Sequence, residues 1–368
     1  MSRRICLLGY ICLVVYSSAF ARSWYERPDR TFHAHPLVEI SEGGRSFARA
    51  KVIRVLRTPT RRESGLLRVE VTSGKYLGRD LHAKTFFVIN ARDFGPRDNL
   101  IISFLEEKGS LSEIVVDSRD RLGGLFLMSI LFILMVFGVG GSRSLFPVAA
   151  LPFGILIFWK IMGAALINER SPIVAAGISA TIVVILTMIA IGGLTKKSLA
   201  ASIGALSGLG FAAVVSWLFI ASSLGGGFFY EEIQLLNYYY SSGPAFFNSL
   251  LTALVILGAT GVVMDTAVSV SSTMTELRIN NPEISKDILK ETGVRVGQDI
   301  SSTMASTLIV AYLGSSLIIL IARSLHITSF TQLINADFFN FELSRALFGT
   351  CAFLIASRVS AWVGSKVI

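Results

Sequence analysis

Two stretches of this 368-residue chain set acidic and hydroxyl side chains at helical spacing within otherwise apolar sequence. Asp265, Ser269, Ser272 and Glu276 stand at i, i+4, i+7 and i+11, which is one face of a helix. Further on, Asp299, Thr303, Ser306 and Tyr312 make a comparable stripe. A carboxylate at the centre of a bilayer costs from about 3 to above 10 kcal/mol, so it normally faces a partner or water. Two acidic, hydroxyl-rich faces on consecutive helices would line a hydrated path for a cation or a proton. In that reading Asp265, Asp299 and Glu276 bind the ion, and Ser269, Thr303, Ser306 and Tyr312 supply neutral oxygens, the ligands that hard cations prefer. The structural alternative is that both aspartates lie toward the cytoplasmic ends of their helices and only cap or reach the interface.

Other chemistry is poorly supported. Two facing aspartates can share a proton and cut a peptide bond. Here, however, Asp299 follows Gly297-Gln298, not the Gly-x-Gly-Asp of intramembrane aspartyl proteases, and their Pro-Ala-Leu segment is missing. No Gly-rich stretch carries the Lys-Ser/Thr that a phosphate cradle needs; Gly225-Gly226-Gly227 lacks it. His33 and His35 form an isolated H-x-H pair, and of the three cysteines Cys6 and Cys12 fall in the N-terminal leader, leaving Cys351. An enzyme is not expected, nor a cofactor, and the metal question stays open.

The elements that position these stripes follow from composition. The chain is 52% hydrophobic and 16% charged, well below the quarter or so of a soluble protein. More than half of its Lys and Arg, and more than half of its Asp and Glu, lie between residues 22 and 121. Two domains in two solvents are implied. Apolar stretches of spanning length run near 122–141, 144–167, 171–194, 198–224, 246–270, 301–322 and 346–365. The expected fold is therefore a polytopic α-helical membrane bundle of about seven transmembrane helices. Small residues at helix-packing spacing, Gly204 with Gly208 and Gly293 with Gly297, predict close helix approach.

Arg3 and Arg4, the apolar run Ile5–Tyr16 and Ala19-Phe20-Ala21 read as a signal peptide over 1–21, cleaved after Ala21. Residues 22–120 then form an extracytoplasmic domain. Leu67, Val69 and Val71 alternate with Arg68, Glu70 and Thr72, the pattern of a half-buried strand. Similar runs near 49–56, 81–89, 100–105 and 114–116, separated by turn residues, predict a small β-barrel-like domain of OB or SH3 type. With that domain outside, Arg143, Lys196-Lys197 and the Arg278–Arg295 group fall inside, and the 225–245 loop with Glu231 and Glu232 falls outside. Arg170, Arg323 and Arg345 are exceptions in short loops. The membrane domain takes residues 121–368, with a cytoplasmic amphipathic loop at 277–298. There Asn281-Pro282-Glu283 predicts a helix start, and Ile284, Ile288 and Leu289 share a face.

The same residues carry a family resemblance. Gly261-Val262-Val263-Met264-Asp265 with Ser269 and Glu276, then Asn281-Pro282, Gly293 to Asp299 and Thr303 to Gly314, resemble the YibE/F family of bacterial multi-pass membrane proteins. Thr195-Lys196-Lys197-Ser198, the Glu231-Glu232 pair and the Lys75-Tyr76-Leu77-Gly78 turn extend the likeness. The resemblance implies an integral membrane protein, and it leaves the activity open.

The expected localisation is the bacterial cytoplasmic membrane. The expected function is a secondary transporter, permease or channel-like protein for an ion or small solute. The alternative is a non-transporting envelope scaffold or accessory subunit. The lipid bilayer is the first expected partner, with an ion or solute in the membrane domain and an envelope protein for the β-domain. The net charge of +9 is spread among acids and helix ends, so no nucleic-acid partner is expected.

Overall fold

The computed structural model describes residues 46–57, 64–85, 94–107, 110–141, 145–223, 233–234, 236–237, 243–324 and 329–368. The expected leader, His33, His35 and the Glu231-Glu232 pair lie outside these residues. Two compact units divide the chain between Ser129 and Ile130.

The first unit is built from β1 (Ser46–Arg57), β2 (Gly65–Val71), β3 (Asp80–Thr85), β4 (Asn99–Glu107) and β5 (Ser110–Arg119). They close into a barrel in the order β1-β2-β3-β5-β4. Every pairing is antiparallel except β3 with β5. That order and the parallel closure are those of the OB-type Greek-key barrel, which settles the choice between the two expected types. Alternation drives it. In β2 the side chains of Leu67, Val69 and Val71 are buried while Arg68 and Glu70 face out. Ala50, Leu100, Ile102 and Val116 complete the interior from the other strands. Register shifts at Val52/Arg54 and Val55/Arg57 bend β1, so that its first half pairs with β4 and its second with β2. The β2–β3 turn depends on two glycines in the left-handed region, Gly74 (φ 84°) and Gly78 (φ 78°). They fold Tyr76 back into the core, edge-on to Phe104 with ring centroids 5.6 Å apart.

The barrel hands over directly to a helix. Asp120 Oδ1 accepts the amide N–H of Leu122 at 3.0 Å, and its other oxygen lies 3.4 Å from Arg49 Nε on β1. A carboxylate one residue before the N-cap Arg121 thus takes the first free amide of α1 (Leu122–Gly140). No residue of α1 is buried.

The second unit holds α2 (Leu145–Ile167), α3 (Pro172–Gly192), α4 (Lys196–Ser223), α5 (Pro244–Asn280), α6 (Lys286–Ser324), the short α7 (Phe330–Ile334) and α8 (Asp337–Val367). Among the described residues, six helices are long and apolar enough to cross a membrane: α1, α3, α4, α5, α6 and α8. The expected seventh corresponds to α2, an apolar helix of 23 residues with Pro152 inside it. The core lies among α3, α4, α5 and α8, with Phe247, Phe341 and Phe353 its largest fully buried side chains.

Both predicted glycine pairs sit at helix crossings. A Cβ at Gly204 would run into Ser360, and one at Gly208 into the carbonyl oxygen of Ala352, so α4 packs backbone to backbone on α8. A Cβ at Gly293 would stand 2.6 Å from Met274 Sδ, and one at Gly297 2.9 Å from Ser357 Cβ. Small residues that allow such close backbone approach are the packing device of helices in bilayers, where no hydrophobic drive joins them.

The 277–298 segment differs from expectation. α5 runs on to Asn280 with Asn281 as its C-cap, and α6 starts at Lys286. The Ser285 hydroxyl accepts the Ile288 N–H at 3.3 Å, so the cap falls four residues later than Asn281. What reads as a separate amphipathic helix is the first three turns of a single 39-residue α6. The turn between is held by Arg278, whose Nη1 donates to the carbonyls of Pro282 (3.1 Å) and Ile284 (2.8 Å).

Candidate functional site

α5 and α6 pack antiparallel, and three close approaches set their register. Gly258 lies against Tyr312, Val270 against Gly297, and Met274 against Gly293. This register puts Asp265 level with Thr303 and Ser269 level with Asp299. The two carboxylates are thus offset by one helical turn, about 6 Å along the bundle.

Asp265, Glu276, Asp299, Thr303 and Ser306 are exposed, and Ser269 is half-buried. The cause lies in packing. Only 11% of the most apolar stretch of α6 is buried, against 56% of that of α5. Among the described residues, no helix lies over the face of α6 that carries Asp299, Thr303 and Ser306. The hydroxyls are satisfied locally: Ser269 donates to the Asp265 carbonyl (2.8 Å), Thr303 to Ile300 (2.9 Å) and Ser306 to Thr303 (2.9 Å). Back-bonding of this kind leaves each oxygen's lone pairs turned outward. The carboxylates of Asp265, Glu276 and Asp299, in contrast, have no hydrogen bond or ion pair among the described residues. Among the same residues, no three His, Cys, Asp or Glu side chains gather.

Tyr312 is drawn elsewhere. Its ring is turned away from the Asp299 stripe, toward α5 and α8. A Cβ at Gly258 would stand 2.5 Å from its hydroxyl, and that hydroxyl is buried with no partner among the described residues. The Arg345 guanidinium lies 4.4 Å from the ring centroid and 2.8 Å from the Glu342 carboxylate. Glu342 is only 5% exposed, a charge inside a helix of spanning length.

Sequence reasoning missed this ion pair. With the last span starting at 346, Arg345 reads as a loop cation that breaks the positive-inside pattern. α8 in fact begins at Asp337, and the acid three residues before Arg345 neutralises it within the helix. Glu342-Leu343-Ser344-Arg345 carries an i, i+3 pair of opposite sign, and that spacing was the available signal. Lys160 is half-buried and Arg358 exposed.

Six apolar helices of spanning length, glycine-packed, with paired and unpaired charge inside them, are the architecture of a multi-pass membrane protein. Residues 128–368 match the family model for YibE/F-like protein, about two thirds of the chain, and the chain belongs to that family. The match begins within α1, so the barrel precedes it. No curated protein and no solved structure matches the chain.

Proposed function

We propose that the helical domain is a secondary transporter, permease or channel-like protein for an ion or small solute, in a bacterial cytoplasmic membrane with the barrel outside. Asp265 and Asp299 are its ion- or proton-binding carboxylates, with oxygens from Ser269, Thr303 and Ser306 beside them and Glu276 nearer the cytoplasmic end. One observation carries this reading. Asp265 and Asp299 lie on adjacent spanning helices, a turn apart, and neither has an ion pair or hydrogen bond among the described residues. Bare carboxylates at that depth need water or a cation. The inward run of cations at Lys196, Lys197, Arg278, Lys286 and Lys290 supports the orientation.

The test is a thermal-shift screen of purified protein across pH and a panel of monovalent and divalent cations, beside Asp265→Asn and Asp299→Asn. An ion at a hundred times its Kd stabilises the protein by about 2.7 kcal/mol. The expected result is one responding ion or pH range in wild type, lost in variants that fold normally, followed by flux of that ion in proteoliposomes. Variants that melt earlier, in a wild type that answers no ion, would end the transport reading.

A second reading, an envelope scaffold or accessory subunit, is favoured by the uncovered face of α6. A partner helix there would satisfy the same carboxylates. Site-specific cross-linking from Ser306 to another protein, without ion response, would favour it.

A further inference from the structure

The pairing of the barrel gathers the C-termini of β1, β3 and β5 and the N-termini of β2 and β4 at one end, and α1 leaves from that end. Only Asp120 and Arg121 separate β5 from α1, and both charges of the Asp120–Arg49 pair are already engaged. The turn before β4 lies at the same end. Arg97 N–H donates to the Val52 carbonyl (2.8 Å), and Arg119 bridges to Asp98 (3.3 Å). Four exposed cations of this end, Arg54, Lys84, Arg97 and Arg121, have no ion pair among the described residues. Between them the bent second half of β1 exposes Ile53 (40%) and Leu56 (44%). At the opposite end Lys75 is bridged to Glu106 at 2.6 Å. One exposed carboxylate, Asp117 near the end of β5, lies among these four cations, so the excess of positive charge at this end is three. The opposite end keeps Arg79, which has no ion pair among the described residues. Cations in such excess, interleaved with exposed branched apolar side chains, suit a surface of anionic headgroups over acyl chains.

We infer that this end of the barrel docks on the bilayer into which α1 runs. Arg54, Lys84, Arg97 and Arg121 meet the phosphates of anionic lipids, and Ile53 and Leu56 reach the boundary below them. Charge complementarity and the two-residue tether argue for lipid as the occupant. The inference is independent of what the helical domain carries.

The experiment uses the full-length protein with a photo-reactive benzoylphenylalanine at position 56, in nanodiscs of phosphatidylcholine alone or with phosphatidylglycerol. Position 77, in the exposed β2–β3 turn of the other end, serves as the reference. Expected is lipid cross-linking at 56 that rises several-fold with phosphatidylglycerol and far exceeds that at 77. It should fall back in Arg54→Gln/Lys84→Gln/Arg97→Gln and persist in Lys75→Gln, which removes the same kind of charge elsewhere. Should the triple variant misfold, salt on the wild type decides, because at about 1 M the Debye length is only about 3 Å and the phosphatidylglycerol dependence should vanish. Equal cross-linking at 56 and 77, indifference to lipid charge, or abolition of the lipid dependence by inorganic phosphate at constant ionic strength would each overturn the inference, the last by revealing a small-anion site.

Discussion

The Arg345 guanidinium lies 4.4 Å from the Tyr312 ring centroid and 2.8 Å from the buried Glu342 carboxylate, so a cation–π contact and an ion pair share one half-buried cation. The cation–π contact ties α8 to α6, whose span is otherwise little buried, and the ion pair within α8 holds Arg345 in place for it. Breaking one side of a buried pair strands the other charge, at about 3–5 kcal/mol. Arg345→Met should therefore destabilise the protein severely in detergent unfolding, and Glu342→Gln nearly as much. The double variant should cost clearly less than the sum of the two. Additive losses would mean that the pair is not coupled.

Two glycines on α4 should respond oppositely to the same added methyl group. At Gly208 the Cβ runs into the Ala352 carbonyl, whereas at Gly210 nothing lies within 4 Å. Overpacking costs about 1–3 kcal/mol, while Gly→Ala in a helix gains up to about 1 kcal/mol. Thermal melts should place Gly208→Ala below wild type and Gly210→Ala at or above it.

The barrel should be most stable between mildly acidic and mildly basic pH. Lys75 holds Glu106 below the usual carboxylate range, chiefly through their hydrogen bond, and Glu106 in turn raises Lys75. A lowered carboxylate contributes stability above its unfolded pKa, about 4.3, and that contribution fades as pH falls through the folded value. A raised ammonium contributes below its unfolded pKa, about 10.4, and loses this as pH climbs through the folded value. Both groups are solvent-exposed, so the effect is small. Glu106→Gln should remove the dependence on both sides, as read by NMR titration of Lys75 and by barrel melting against pH.

Asp120→Ala should loosen the start of α1 without harming the barrel core. The change removes the acceptor for the Leu122 amide and the partner of Arg49. Loss of a side-chain acceptor at a helix start costs about 1 kcal/mol. Hydrogen exchange should speed up several-fold at the first turn of α1 and hold constant at Leu100 and Ile102. Unchanged exchange at Leu122 would show that the cap contributes nothing.

Periodicity carried the barrel and the spans a long way. Alternation at Leu67, Val69 and Val71 fixed which face of β2 is inside, because a strand's side chains can only alternate. The glycine pairs announced their crossings, since a missing Cβ allows backbone approach that any other residue forbids. Of the stripe residues, Asp265, Ser269, Ser272 and Glu276 lie on α5, and Asp299, Thr303 and Ser306 on the outward side of α6. Tyr312 departs from it because a large ring follows the space left by Gly258, a fact about α5 that no spacing within α6 contains.

The sequence by itself determined the strands of the barrel, the long apolar helices and the sites of close helix approach. Each of these depends on local composition and on the fixed repeats of strand and helix. Tertiary structure alone decided which charges are answered. Arg345, whose partner Glu342 is local to α8, is covered by Tyr312 of α6, while Asp265 and Asp299 are left bare among the described residues, because such cover depends on which helix lies over which face. That arrangement is set by packing between segments far apart in the chain, and a one-dimensional pattern does not encode it directly.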